Sequence, residues 1–237
     1  NTAIGTNALT ANTTADCNTA VGHNSLAAAS TGHSNTAVGA DALVALTTGT
    51  VNQAFGRRAL CSNTEGDCNS AFGYYSLQAN TTGECNTALG NSSLAANTTA
   101  SNNTAVGFQS LTANTTGTSN VAVGASALKS NTSLSDNTAV GHEALCTVSG
   151  GGYNTAIGSK ALRVNNTYWN TAIGFEALCD TTTGSTNTAV GARAMCDNTV
   201  GCNNVAVGYG NMTKNTEGEN NTAVGQAALT ANTTADN

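Results

Sequence analysis

Eight cysteines carry the most distinctive chemistry in this chain of 237 residues. They flank one recurring polar stretch, with Cys61, Cys146, Cys179 and Cys196 before it and Cys17, Cys68, Cys85 and Cys202 after it. Two stretches hold a cysteine on both sides, CSNTEGDC (Cys61 and Cys68) and CDNTVGC (Cys196 and Cys202). We predict intrachain disulfides across these two turns. Such cysteine usage favours an oxidising setting, extracellular or on a cell or virion surface.

The cysteine spacing follows an internal repeat that fills the chain. The glycine of NTAVG recurs every 17 residues, except for one interval of 16 between Gly158 and Gly174, which gives 14 copies. We number each copy from its asparagine, as position 1, to position 17. Position 1 is Asn, position 3 is Ala and position 5 is Gly in all 14 copies. Position 4 is Ile, Val, Leu or Phe, and position 9 is Leu or Met.

This pattern predicts an all-β fold, a parallel β-solenoid of 14 coils with 17 residues each, as one array over residues 1–237. Gly, Asn and Thr at these frequencies do not suit helices. Stacked asparagines can hydrogen-bond along the axis, so we assign them a structural role. The array shows no atypical terminal copy. We therefore expect it to be a segment of a longer fibre protein.

Stacking leaves other cysteine pairings open. Neighbouring copies bring Cys68 beside Cys85 and Cys179 beside Cys196, near the short end of disulfide geometry. The remaining Cys17 and Cys146 could join neighbouring chains. Paired CxxC knuckles with histidine are missing, so no metal site or cofactor is predicted. The three histidines, which we expect at the surface, are His23, His33 and His142.

The strand phase suggests an oligomer. If position 4 points into the coil, alternation sends position 3 outward. An outward alanine in every copy indicates a covered face, so we expect a homo-oligomer packed along the alanine row, most simply a trimer.

The NTAVG segments followed by Ala-Leu, as in Asn103–Leu111, resemble the head repeats of trimeric autotransporter adhesins. They resemble still more closely the NTAVG arrays of viral and phage fibre proteins. This resemblance covers all 14 copies. It implies a left-handed parallel β-roll, three chains per fibre, and a structural or attachment role.

Composition excludes several functions. A net charge of −6 gives no electrostatic footprint for nucleic acid. No apolar run is long enough for membrane insertion. We expect no enzyme, because no carboxylate pair recurs beside a nucleophile. The partners that we expect are further copies of the chain, side by side or end to end, and a cell-surface receptor or glycan.

Positions 6 and 7 vary most and form an edge that could contact such a receptor. Its candidate residues are Arg57, Arg58, Tyr74, Tyr75, Phe108, Phe175 and Tyr209. We expect the two arginines to stack on the two tyrosines one coil later. Acceptor patterns for N-glycosylation begin at Asn12, Asn80, Asn97, Asn114, Asn131, Asn165 and Asn232.

We therefore expect a shaft or head segment of an extracellular fibre: an adhesin, a viral or phage fibre, or a surface filament. Ice binding is the alternative, because flat β-solenoids with threonine rows suit it. Against it, alternation is expected to point position 2 inward. The threonine row at that position is also broken at Gln53, Ser70, Val121 and Val205.

Overall fold

The structure is a computed structural model and describes residues 1–236. Short strands alternate with turns throughout this range, and it contains no helix. Within the same residues, nothing helical is long and apolar enough to cross a lipid bilayer. The chain divides into two compact units, Asn1–Asn120 and Val121–Asn237.

The first unit is a parallel sheet of three-residue strands, one from each copy of the repeat. The strands are β1 (Thr2–Ile4), β2 (Thr19–Val21), β3 (Thr36–Val38), β4 (Gln53–Phe55), β5 (Ser70–Phe72), β6 (Thr87–Leu89) and β7 (Thr104–Val106). Each strand pairs in parallel with the next, and each residue faces its equivalent one copy later.

The second unit repeats this arrangement and adds one small sheet. Its strands are β8 (Val121–Val123), β9 (Thr138–Val140), β10 (Thr147–Val148), β11 (Thr155–Ile157), β12 (Val164–Asn165), β13 (Thr171–Ile173), β14 (Thr188–Val190), β15 (Val205–Val207) and β16 (Thr222–Val224). Strands β8, β9, β11 and β13–β16 pair successively in register, and β10 pairs with β12. The shortened copy keeps this register, with Thr155 facing Thr171.

These pairings confirm the prediction of an all-β parallel β-solenoid. Hydrogen bonds between coils continue outside the strands, as in the turn where Leu43 N donates to Ala59 O at 3.0 Å and Arg58 N donates to Ala40 O at 2.9 Å. The next coil therefore satisfies backbone groups along much of the period, which is why a repeat of nearly constant length can stack.

The strand phase is the reverse of our expectation. The central alanine is buried in every three-residue strand except β1, and the residues on either side of it face outward. In β6, Ala88 is fully buried whereas Leu89 is 49% exposed. The core is thus built from alanine at position 3 and from Leu or Met at position 9. The prediction that chains pack along an outward alanine row is wrong.

Two ladders of buried asparagine side chains run through the core: the one at position 1 was expected from the sequence, and the one at position 12 was not. At position 1, Asn52 Nδ2 donates to Gly66 O at 2.8 Å, and Asn52 Oδ1 accepts from Asn69 N at 3.0 Å. At position 12, Asn80 Nδ2 donates to Asn63 Oδ1 at 2.8 Å. The first ladder ties each coil both to its own turn and to the next coil.

The tight turn after each strand explains the glycine at position 5. Gly39 has a φ of +135°, and a Cβ built on it would lie 2.6 Å from Gly56 O in the next coil. A side chain at this position would therefore push neighbouring coils apart. Position 9 is also unusual, because Leu43 adopts a φ of 49° that L residues rarely occupy.

Candidate interaction surface

The outward face of the sheet carries two parallel rows of side chains. Position 2 supplies mainly threonine, and position 4 supplies only apolar residues. We call the residues at position 4 the apolar row. In the first unit they are Ile4, Val21, Val38, Phe55, Phe72, Leu89 and Val106, and in the second Val123, Val140, Ile157, Ile173, Val190, Val207 and Val224. Neither row contains a charged residue.

The apolar row is in register and accessible to solvent. Phe55 and Phe72 stack with their ring centroids 4.8 Å apart and their planes 5° apart, which matches the spacing of neighbouring strands. Ile173 is 38% exposed in the second unit. None of the described members of the row is buried. A continuous apolar stripe on a protein surface marks an interaction site more often than isolated apolar residues do.

This surface was not predicted from the sequence, although a signal for it was present. Position 4 varies in size from Val to Phe, as an exposed position can, whereas position 3 is always Ala. Invariant small size is typical of a close-packed interior, because even one extra methylene disturbs such packing. The difference in size tolerance therefore indicates which of the two positions faces the core.

The variable edge contains the expected stacking of arginine on tyrosine. Arg57 lies over Tyr74 with its Cζ 5.9 Å from the ring centroid, and Arg58 lies over Tyr75 at 5.5 Å. Arg58 Nη1 also donates to Tyr75 Oη at 3.4 Å. The pKa of Tyr75 is lowered mainly by its hydrogen bond with Tyr74 and secondly by its hydrogen bond with Arg58. The edge is thus a local cluster of polar and aromatic groups.

The other edge candidates lie at the surface, as Phe108, Phe175 and Tyr209 are all exposed. An open hollow of about 340 Å³ adjoins Tyr209 in the second unit. Its lining residues are Arg193, Asp197, Tyr209, Gly210, Thr213, Lys214 and Ala227. The edge therefore offers aromatic groups of the kind that a receptor or glycan could contact.

The glycosylation expectation needs correction at most of its positions. Five of the seven acceptor asparagines have no exposed surface and lie inside the coil: Asn80, Asn97, Asn114, Asn131 and Asn165. Asn80 Nδ2 also donates to Gly83 O at 3.0 Å. A glycan on such an amide is incompatible with the folded coil. Asn12 and Asn232 are partly exposed.

All eight cysteines are free thiols in the structure, so the predicted turn-crossing pairs are not joined there. Cys61 is buried and its sulfur approaches Gln78 O at 3.6 Å. The sulfur of Cys202 lies near Val200 O at 3.4 Å. The structure instead places the sulfurs of Cys179 and Cys196 in contact.

The remaining candidate groups are dispersed. His23, His33 and His142 are exposed, as expected. Among residues 1–236, three side chains that could share a metal ion come together only at Cys179, Asp180 and Cys196.

The fold defines the chain as a parallel β-solenoid repeat protein. It matches no protein-family profile, no characterised protein and no solved structure.

Proposed function

We propose that the chain is a structural segment of an extracellular fibre, in which copies of the chain pack against one another along the apolar row. The observation that carries this proposal is the outward row of Ile, Val, Leu and Phe at position 4 in each unit. We still propose the oligomer that the sequence suggested, but we assign its contact surface to position 4 instead of position 3.

A further copy of the same chain is the partner that fits this row best. Each coil contributes one residue to the row, so the rows of two parallel copies have the same spacing. Every residue of one row can then contact its equivalent in the other chain. No charge is buried in such a contact, because positions 2 and 4 are uncharged in every copy of the repeat. Three copies around one axis would cover each row with two others, and the resemblance of the repeat to trimeric fibres supports this number.

The energy available is of the right order. Burying one Val, Leu, Ile or Phe side chain completely contributes about 1.5–3 kcal/mol, and roughly half of that remains for side chains already half-buried. The seven residues of the row in one unit then contribute about 5–10 kcal/mol. This is comparable with the cost of association, about 4–15 kcal/mol.

In this proposal the protein is not an enzyme, and its role is rigid extension. The variable edge at positions 6 and 7 remains free for a cell-surface receptor or glycan. Its aromatic residues Phe108, Phe175 and Tyr209 are exposed and lie outside the apolar row.

A matched pair of substitutions within one coil tests the proposal. Ile173 belongs to the apolar row, whereas Phe175 belongs to the variable edge and is 49% exposed. We expect Ile173→Arg to reduce the mass measured by light scattering to that of one chain, 23.4 kDa. Phe175→Arg should leave the oligomer intact. A monomeric unsubstituted chain, or equal effects of both substitutions, would contradict the proposal.

Ice binding is a second candidate, and one observation favours it. Position 2 faces outward, contrary to our expectation, because Thr87 is exposed and the other threonines of the row are at least partly accessible. Threonine and valine rows thus share one outward sheet face. The rows are nevertheless interrupted, for example by Gln53 and by the bulky Phe55.

Thermal hysteresis distinguishes this second candidate. If ice binds to the outward face, the chain shows hysteresis, Thr87→Tyr abolishes it, and Thr99→Tyr in an exposed turn preserves it. A chain without hysteresis removes the candidate.

A further inference from the structure

Cys179 and Cys196 occupy the same position in neighbouring coils of the second unit. Their sulfur atoms are 3.3 Å apart, and each residue is only 6% exposed. Backbone hydrogen bonds hold the two coils together beside them, since Asp180 N donates to Cys196 O at 3.2 Å. In-register coils are about 4.8 Å apart, which lies within the range of Cα separations in disulfides.

The surroundings of the pair make the two sulfurs chemically different. The side-chain contact between the two thiols lowers the pKa of Cys196 and raises the pKa of Cys179. The guanidinium group of Arg193 also interacts with the Cys196 sulfur. Cys196 is therefore the better nucleophile of the pair, and Cys179 holds its proton until a later step.

No other two neighbouring coils both have cysteine at position 10. Cys61 is buried at the same position, but its neighbours in the adjacent coils are Val44 and Gln78. The equivalent neighbours of Cys146 are Lys129 and Arg163. Two cysteines meet at position 10 only where Cys179 and Cys196 stack.

We propose that Cys179 and Cys196 are an oxidisable dithiol that forms a reversible disulfide between neighbouring coils. The oxidant is a low-molecular-weight disulfide, such as oxidised glutathione. The Cys196 thiolate attacks one of its sulfurs, the glutathione S–S bond breaks, and one glutathione thiolate leaves. Cys179 then loses its proton to solvent and attacks the Cys196 sulfur, which releases the second thiolate. The two cysteines lose two electrons and the glutathione disulfide gains them.

Thiol counting and peptide mapping of the full chain test the proposal. After incubation with oxidised glutathione, we expect a peptide linked through Cys179 and Cys196, which accounts for the loss of two thiols beyond those that add glutathione at the exposed Cys17, Cys68 and Cys85. Dithiothreitol should restore both thiols. Cys61→Ser should leave the link intact, since the residues at the equivalent position of the two adjacent coils are Val44 and Gln78.

Two variants test the order of attack. Cys179→Ser should trap glutathione on Cys196 as a mixed disulfide, whereas Cys196→Ser should slow glutathione addition to Cys179 at least tenfold. Equal rates for the two variants would overturn the assignment of the attacking sulfur. Free thiols at both positions alongside a Cys68–Cys85 link would overturn the proposal. So would thiols that react only after a chelator is added, because that result would identify a metal site formed with Asp180.

Discussion

The asparagine at position 1 gives the sharpest prediction for stability, and Asn52 in the first unit is the best place to test it. Its Oδ1 accepts from the backbone N–H of Asn69 at 3.0 Å, and its Nδ2 donates to Gly66 O at 2.8 Å. Both asparagines are fully buried. Two longer hydrogen bonds of 3.2 Å join the same amide to its ladder neighbours, from Asn52 Nδ2 to Asn35 Oδ1 and from Asn69 Nδ2 to Asn52 Oδ1. Replacing Asn52 with Ala removes all four hydrogen bonds without exposing the site to water.

The partners in the two longer hydrogen bonds keep others, because Asn35 Oδ1 still accepts from the backbone N–H of residue 52 and Asn69 Nδ2 still donates to Gly83 O. The two shorter hydrogen bonds are lost at unequal cost. Gly66 O keeps a second donor, Asn63 Nδ2 at 2.9 Å, so its loss is worth about 1 kcal/mol. The Asn69 N–H is left buried without its acceptor, which costs about 1–3 kcal/mol. We therefore expect Asn52→Ala to lower the free energy of unfolding by about 2–4 kcal/mol.

Urea denaturation followed by circular dichroism measures this change, and hydrogen exchange locates it. The Asn69 amide proton should exchange much faster in Asn52→Ala than in the unsubstituted chain. Asn91 is an exposed asparagine at position 6, so Asn91→Ala should change stability by less than about 0.5 kcal/mol. An Asn52→Ala chain as stable as the Asn91→Ala control, with unchanged exchange at Asn69, would refute the ladder argument.

Three further predictions concern the turn, the edge and the second ladder. Gly39→Ala should destabilise the chain by about 2–4 kcal/mol in urea denaturation, because its φ and its contact with Gly56 leave no room for a methyl group; an unchanged midpoint would contradict this. Arg58→Leu should raise the pKa of Tyr75, since a nearby guanidinium favours the phenolate. A pH titration of the tyrosine ring carbons by NMR measures this pKa, and an unchanged value in the variant would contradict the prediction. Asn97 should carry no glycan when the chain is secreted from eukaryotic cells, whereas a glycopeptide found there by mass spectrometry would show that the buried ladder is wrong.

The sequence predicted the coil but not its phase. A strict period with Asn, Ala and Gly at fixed positions indicates stacking, because each position then faces its own equivalent. Alternation along a strand, however, fixes only that positions 3 and 4 point in opposite directions. A shift of one residue exchanges the two faces completely. Assigning the larger side chain, such as Leu89, to the core was therefore a choice that hydrophobicity alone could not justify.

The side-chain contacts of the edge and the core were predicted unevenly. Stacking of Arg58 on Tyr75 follows from two neighbouring copies in register, and the structure confirms it. Burial of Asn80 was missed, because NTT has the composition of an exposed turn. What makes burial favourable is a partner one coil away, Asn63, and such partners become visible only when equivalent positions are compared along the array.

The outward direction of the apolar row and its contact with further copies of the chain can be tested in one cross-linking measurement. The eight native cysteines are replaced with serine, and a single cysteine is introduced at Leu89 of the row or at Phe108 of the edge, both of which are about half exposed. In a parallel symmetric assembly, equivalent residues of the row meet near the common axis. We expect mild oxidation to join chains through Leu89→Cys and not through Phe108→Cys, as seen on non-reducing gels. Chains that stay single with Leu89→Cys, or that are joined only through Phe108→Cys, would contradict the account.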